Sequence, residues 1–163
     1  MSKTDRSPMA GEKAPDFNLP ATSLGENETL TLSSVKGAVV LFFYPKDNTS
    51  GCTKEAIDFT EALSKFEALG VTVIGLSPDP VKQHIKFQDK HSLGVQLVAD
   101  EEKTALDAYG VWVEKSMYGK KYMGVERSTF LIGSNGEILK SWRKVKVPGH
   151  VDEVLAAAKE LVK

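Results

Sequence analysis

Two short apolar runs, Ala38–Phe43 and residues 71–76, stand on either side of a segment whose apolar residues recur at helical spacing. That order constrains the fold more than any other feature of the chain. Neither run alternates polar with apolar residues, so each reads as a strand covered on both faces, as strands of parallel sheets are. Between them Ala56, Phe59, Leu63 and Phe66 place one apolar stripe along a helix that Gly70 ends. Strand, helix and strand in this order predict a right-handed crossover between two parallel neighbours.

The flanking segments extend this unit. Residues 29–32 alternate and predict a short strand, with a brief turn from Ser33-Ser34 to Gly37. Ser77-Pro78-Asp79-Pro80 opens a helix whose first turn tolerates proline, lined by Val81, Ile85 and Phe87 up to His91. Gln96–Ala99 is a short strand, and Asp100 is placed as the N-cap of a helix over residues 101–109. Ser128–Ile132 and residues 137–142 flank Ser134-Asn135-Gly136 and read as a β-hairpin. A last helix carries Val151, Val154, Leu155, Ala158, Leu161 and Val162 on one face. Residues 1–13 read as a loose lead-in, flexible over 1–10, before Pro15 biases Ala14 toward extended backbone. No repeat, low-complexity tract or linker interrupts the chain, so residues 1–163 are expected to form a single domain. A parallel unit followed by a hairpin and a helix predicts an α/β fold, a three-layer α/β/α sandwich on a mixed central sheet, which is the thioredoxin-like arrangement.

Composition narrows the function classes. Hydrophobic residues make up 41% of the 163 and charged residues 26%, enough for a core without staples. A formal charge of −1, from 21 basic and 22 acidic residues, gives no field that would gather nucleic acid or an anionic membrane. The longest apolar run, residues 38–44, is too short to span a bilayer, and polar residues 1–11 hold no signal-peptide core. With a single cysteine, Cys52, the chain suits a reducing compartment and is expected in the cytoplasm. The histidines His84, His91 and His150 lie far from Cys52 and form no ligand spacing, so no metal is expected. His84 and His91 read as a solvated pair.

Cys52 lies in Pro45-Lys46-Asp47-Asn48-Thr49-Ser50-Gly51-Cys52-Thr53-Lys54-Glu55, which leaves the C-terminal end of a buried strand and enters a helix. Sites in open α/β sheets form at the carboxyl ends of strands. In the first turn of a helix, free N–H groups and the helix dipole stabilise a thiolate. The polar neighbours of Cys52 favour a reactive thiol over an inert core cysteine.

The spacing Pro45-x-x-x-Thr49-x-x-Cys52 resembles the active-site motif of peroxiredoxins. Phe42-Phe43-Tyr44-Pro45-Lys46-Asp47 with Thr49-x-Gly51-Cys52-Thr53 is similar to the bacterioferritin comigratory protein, or PrxQ, branch. Ala14-Pro15-Asp16-Phe17, Lys115-Ser116-Met117-Tyr118-Gly119-Lys120 and Gly124-Val125-Glu126-Arg127-Ser128-Thr129-Phe130-Leu131-Ile132 extend the resemblance from about residue 10 to the end. It implies a thiol peroxidase that reduces hydrogen peroxide and organic hydroperoxides through a Cys52 sulfenic acid, with no organic or metal cofactor. Thr49 would donate its hydroxyl hydrogen bond to the peroxide, and Arg127 would stabilise the thiolate and the developing oxyanion. Pro45 would shield the site, and the N–H groups of Gly51 and Cys52 would hold the peroxide oxygens. Lys46, Lys54 and Glu55 read as solvated charges.

The chain departs from that family in two respects. Positions that carry a resolving cysteine in many members hold Ile57 and Phe87-Gln88 here. The sulfenic acid must then be reduced by an outside thiol: thioredoxin, glutaredoxin with glutathione, or Cys52 of another copy. The chain is expected as a monomer or weak homodimer. The alternative is a peroxide sensor or redox relay that passes oxidation of Cys52 to a partner protein. A binding module with a vestigial cysteine is opposed by the joint presence of Thr49, Cys52 and Arg127. Ser50 also stands where the family usually has proline.

Overall fold

The structure is a computed structural model that describes residues 8–22 and 29–162. Its elements run β1 (Asn18–Pro20), β2 (Thr29–Thr31), β3 (Ala38–Phe43), α1 (Ser50–Ala68), β4 (Val71–Ser77), α2 (Val81–His91), β5 (Gln96–Ala99), α3 (Thr104–Ala108), β6 (Trp112–Met117), β7 (Lys120–Val125), β8 (Ser128–Ile132), β9 (Ile138–Trp142) and α4 (His150–Leu161). Five strands form the central sheet in the order β5-β4-β3-β8-β9. β3 runs parallel to β4 and β4 to β5, while β8 pairs antiparallel with both β3 and β9. The sheet is mixed, as the sequence predicts.

β3 is at the centre because every residue in it can be buried. Alternate side chains point to opposite faces. Val40 and Phe42 join a cluster with Ala56, Phe59 and Phe66 of α1, Phe87 of α2 and Val154 of α4. Val39, Leu41 and Phe43 join a second cluster with Leu106 of α3, Phe17 and Phe130. Helices therefore cover both faces, giving the three-layer α/β/α sandwich of a thioredoxin-like fold. The Phe42 ring stacks on Phe59 at 4.6 Å between centroids, which fixes α1 against β3. Among the described residues no helix is long and apolar enough to cross a membrane.

Four segments differ from their sequence reading. Residues 9–14 are tied down where a loose lead-in is expected: Gly11 N–H donates to Ile138 O at 2.8 Å and Ala14 N–H to Gly136 O at 2.9 Å. Residues 1–7 of that lead-in lie outside the described residues. The helix expected over 101–109 is confined to α3, because Lys103 adopts a left-handed conformation (φ 62°) and breaks the first turn. Lys103, not Asp100, is therefore the N-cap, although the two Asp100 oxygens still accept from Thr104 N–H at 3.0 Å and Leu106 N–H at 2.8 Å. The ribbon β6–β7, turned at Tyr118 (φ 52°) and Gly119 (φ 80°), has no counterpart in the sequence reading. On α2 the buried residues are His84 and Phe87, one helical turn apart, while Ile85 is exposed.

Gly75 on β4 pairs with Phe42, and a Cβ there would come within 2.6 Å of Phe42 Cζ and 3.0 Å of Leu97 Cδ2. Gly75→Ala is therefore expected to destabilise the protein by about 1–3 kcal/mol through displacement of Phe42. The denaturant midpoint checks this. His150 gives a pH test. Its Nε2 lies 2.8 Å from Thr129 Oγ1 in the core, and burial together with the Arg127 charge pushes its pKa down to about 4. An unfolded histidine titrates near ~6.5, so the unfolded state holds the extra proton as pH falls from about 6.5 to 4. Stability linked to His150 is thus full above ~6.5 and lost on acidification through that window, by up to ~1.4 kcal/mol per pH unit. Urea midpoints at pH 7 and 5 should fall less for His150→Gln than for the wild type.

Candidate active site

The site is built where β3 ends. Tyr44 N–H donates to Leu76 O at 3.1 Å, so the chain leaves the sheet locked to β4. Asn48 takes a left-handed conformation (φ 63°), Thr49 returns to extended backbone as N-cap, and α1 starts at Ser50. The first helical bond runs from Thr53 N–H to Thr49 O at 2.8 Å. The N–H groups of Ser50, Gly51 and Cys52 precede it, so Cys52 sits at the positive end of a long helix as the sequence predicts.

Cys52 faces inward, not outward. It begins the same stripe as Ala56 and Phe59 and is 1% exposed. Arg127, between β7 and β8, reaches it from 75 residues away: Nη2 donates to Cys52 Sγ at 3.2 Å. The other guanidinium nitrogen, Nη1, donates to Glu55 Oε1 at 2.6 Å. Arg127 is held from behind by Val145 N–H, which donates to its carbonyl at 3.0 Å. One fixed cation thus spans a sulfur and a carboxyl on successive turns of α1, a task for which a planar guanidinium is suited.

Glu55 corrects the sequence reading. It is not a solvated charge but fully buried, and its Oε2 has no hydrogen-bond partner among the described residues. Burial raises its pKa to about 7 against the opposing pull of Arg127. The signal was present in the spacing, since 52, 55, 56 and 59 share one helix face. Lys54 and Lys46 are exposed as expected, with Lys54 Nζ 2.7 Å from Asp58 Oδ1 on the solvent side.

The remaining site residues fall around this centre. A Cβ on Gly51 would meet Arg127 Nη2 at 3.2 Å, so the absence of a side chain lets the guanidinium lie over the helix start. Thr49 is exposed, and its hydroxyl donates to Lys46 O at 2.8 Å, which corrects the donor role that the resemblance implies: its one proton is engaged, and its lone pairs are left to accept. Pro45 is half-buried directly after Tyr44. Lys115 of β6 stands close enough to feel Arg127 and Cys52, and burial with the Arg127 charge holds its ammonium below the usual range. Lys115 and Arg127 line a surface groove with Val113, Glu126 and Val145. The places of a second cysteine hold no sulfur: Ile57 packs against the core, Phe87 is buried, and Gln88 Nε2 donates to Val95 O at 2.9 Å.

His84 is a second correction. It is fully buried, not solvated, with Nδ1 2.7 Å from Asp47 Oδ2 and Nε2 2.9 Å from Val98 O. The histidines show no ligand spacing in the sequence, yet the fold brings side-chain oxygen and nitrogen atoms of Asp47, Asp79 and His84 within 4.8 Å of one another. Each of these groups already has hydrogen-bond partners in the protein.

A helix-borne thiol facing an arginine from a distant strand is a constellation that can be compared with known proteins. Residues 10–141 match the family model described as the AhpC/TSA family. The chain is 47% identical over 152 residues to peroxiredoxin Bcp of Bacillus subtilis, covering 93% of this chain and 95% of that one. It is 49% identical over 146 residues to the putative peroxiredoxin bcp of Coxiella burnetii, covering 89% and 95%. Among solved structures, one of the Xanthomonas campestris bacterioferritin comigratory protein, studied for its alkyl peroxide reduction activity, superposes with a TM-score of 0.87 at 40% identity, covering 94% of this chain and 99% of that one. Matches of this length leave no part of the central sheet outside the likeness, and the chain belongs to the AhpC/TSA family, as a peroxiredoxin of the Bcp branch.

Proposed function

We propose that Cys52 is the peroxidatic cysteine and that Arg127, Glu55, Thr49, Pro45 and the start of α1 form its site. The hydrogen bond from Arg127 Nη2 to Cys52 Sγ carries this reading, because it places a permanent cation on the one sulfur able to act as nucleophile. The thiolate attacks one oxygen of hydrogen peroxide or an organic hydroperoxide. An S–O bond forms, the O–O bond breaks, and the departing oxygen takes a proton and leaves as water or alcohol. Cys52 becomes a sulfenic acid. Negative charge moves from sulfur to the departing oxygen, and donors fixed in advance along that path lower the barrier. Arg127 spans the sulfur end, and the free N–H groups of Gly51 and Cys52 supply the helix end. Thr49, its own proton given to Lys46 O, is placed to accept from the peroxide O–H.

The second half of the cycle comes from outside. No second cysteine exists in these 163 residues, so a partner thiol condenses with the sulfenic acid, releases water and forms a mixed disulfide that a further thiol reduces. Thioredoxin, or glutaredoxin with glutathione, fits that requirement in a reducing compartment such as the cytoplasm. The catalytic unit would be a monomer or weak homodimer.

Three outcomes test the reading. Peroxide consumption in the presence of thioredoxin, glutaredoxin–glutathione or dithiothreitol should be lost in Cys52→Ser; a wild type no faster than this variant with every reductant would sink the peroxidase. Arg127→Ala should slow single-turnover oxidation of Cys52 by about 10²–10³-fold, the loss typical of a charge-stabilising donor. An unchanged oxidation rate would remove Arg127 from the mechanism. The third outcome concerns stability. A carboxyl near pKa 7 in the native state and near 4.5 when unfolded contributes most below pH 4.5, and that contribution is lost as pH rises to 7. Against Glu55→Gln, the wild type should therefore lose relative stability between pH 4.5 and 7, on the order of 3 kcal/mol.

A further inference from the structure

The loop that delivers Thr49 and Cys52 has its own buried anchor. Asp47 lies in the middle of that loop, between Pro45 and Thr49, yet it is 3% exposed. Its carboxylate turns inward and is gripped from two sides. Tyr44 Oη donates to Oδ1 at 2.6 Å, and His84 Nδ1 lies 2.7 Å from Oδ2. Its backbone N–H donates to Asp79 Oδ2 at 2.8 Å, and the same Asp79 oxygen accepts from Ser77 Oγ at 2.7 Å. The loop is thereby tied to the ends of β3 and β4 and to α2.

His84 is the part of this network that has no other explanation. Val98 O can only accept, so Nε2 must carry a proton toward it. The atom facing Nδ1 belongs to a carboxyl. The pair therefore shares protons as imidazolium with carboxylate or as imidazole with carboxylic acid, and in either form the hydrogen bond between them is made. Fully buried polar groups linked in this way hold one arrangement and penalise any other, because each broken bond strands a group away from water. A core of this kind could be filled by apolar side chains if only packing mattered. A polar pair whose Asp47 stands two residues before Thr49 and five before Cys52 fixes a position.

We propose that Asp47 and His84 are positioning residues of the peroxidase site: their bond sets the path of residues 45–49 and hence the register of Thr49 and the first turn of α1 against Arg127. His84 acts through Asp47 and touches neither Cys52 nor its substrate. The inference rests on the reading that Cys52 is the group oxidised.

Histidine has two near-isosteric replacements that separate its two bonds. An asparagine amide nitrogen falls where Nδ1 stands and can donate to Asp47; a glutamine amide nitrogen falls where Nε2 stands and can donate to Val98 O. The experiment follows single-turnover oxidation of Cys52 by hydrogen peroxide in His84→Asn, His84→Gln, His84→Leu, Asp47→Ala and the Asp47→Ala/His84→Leu double variant, with folding checked by circular dichroism and urea midpoint. A small misplacement of reacting groups costs up to about 10²-fold in rate, so His84→Leu and Asp47→Ala should each oxidise at least about tenfold more slowly. The double variant should be little slower than the worse single one, as residues acting through one bond are non-additive. His84→Asn should keep most of the rate and His84→Gln should not. Equal wild-type rates in all folded variants, with only the urea midpoints lowered, would overturn the proposal. So would rescue by glutamine alone, which would make His84 an anchor of α2 to β5. If Asp47→Ala or His84→Leu fails to fold, the asparagine–glutamine comparison decides. A wild type whose Cys52 oxidises no faster than free cysteine would instead defeat the peroxidase reading itself.

Discussion

The guanidinium of Arg127 joins two functional groups of α1 to a strand junction 72 and 75 residues away in sequence. It bridges Cys52 Sγ and Glu55 Oε1, both on the inward stripe of α1, from the strand junction that leads into β8. That junction is adjacent only because β8 pairs with β3, whose end launches the loop and helix carrying Cys52. The antiparallel hairpin added to a parallel crossover is thus what turns a βαβ unit into a site. A sheet extended by a further parallel strand on that side would deliver a different strand end to the sulfur.

The burial of this trio sets its electrostatics. A cation shared between two potential anions in a poorly solvated place cannot be neutralised by water, so ionisation of one partner changes the balance at the other. Burial brings the pKa of Glu55 to about 7, so both its protonated and its ionised form are present near pH 7. In its protonated form it leaves the charge of Arg127 to the sulfur. The stacked rings of Phe42 and Phe59 hold α1 against β3, and the absence of a side chain on Gly51 leaves room for the guanidinium at the helix start.

Much of this was legible in the chain. Unbroken apolar runs located β3 and β4, the stripe of Ala56, Phe59 and Phe66 located α1, and Asn135-Gly136 located the β8–β9 turn. Cys52 at the start of a helix after a buried strand was readable from its polar neighbours alone. Arg127 was not; at the edge of a strand it looks like any surface cation, and only the resemblance to a family singled it out. Glu55 and His84 were misread because residue type suggested solvent. The spacing of Glu55 to Cys52 and Phe59, and of His84 to Phe87, says otherwise, and the partners that make burial tolerable, Arg127 and Asp47, lie 72 and 37 residues away. The β6–β7 ribbon was missed because its exposed Met117, Tyr118, Tyr122 and Met123 break the usual inside–outside alternation.

The central claim is that one buried sulfur, activated by Arg127, takes oxygen from a peroxide and waits for a thiol from elsewhere. Intact-mass spectrometry after a single equivalent of hydrogen peroxide, with dimedone present as a sulfenic acid trap, tests it most directly. One dimedone adduct per chain, mapped to Cys52 and formed far faster than on free cysteine, is the predicted result. A chain that stays unmodified at Cys52 while its exposed methionines take up oxygen would contradict it.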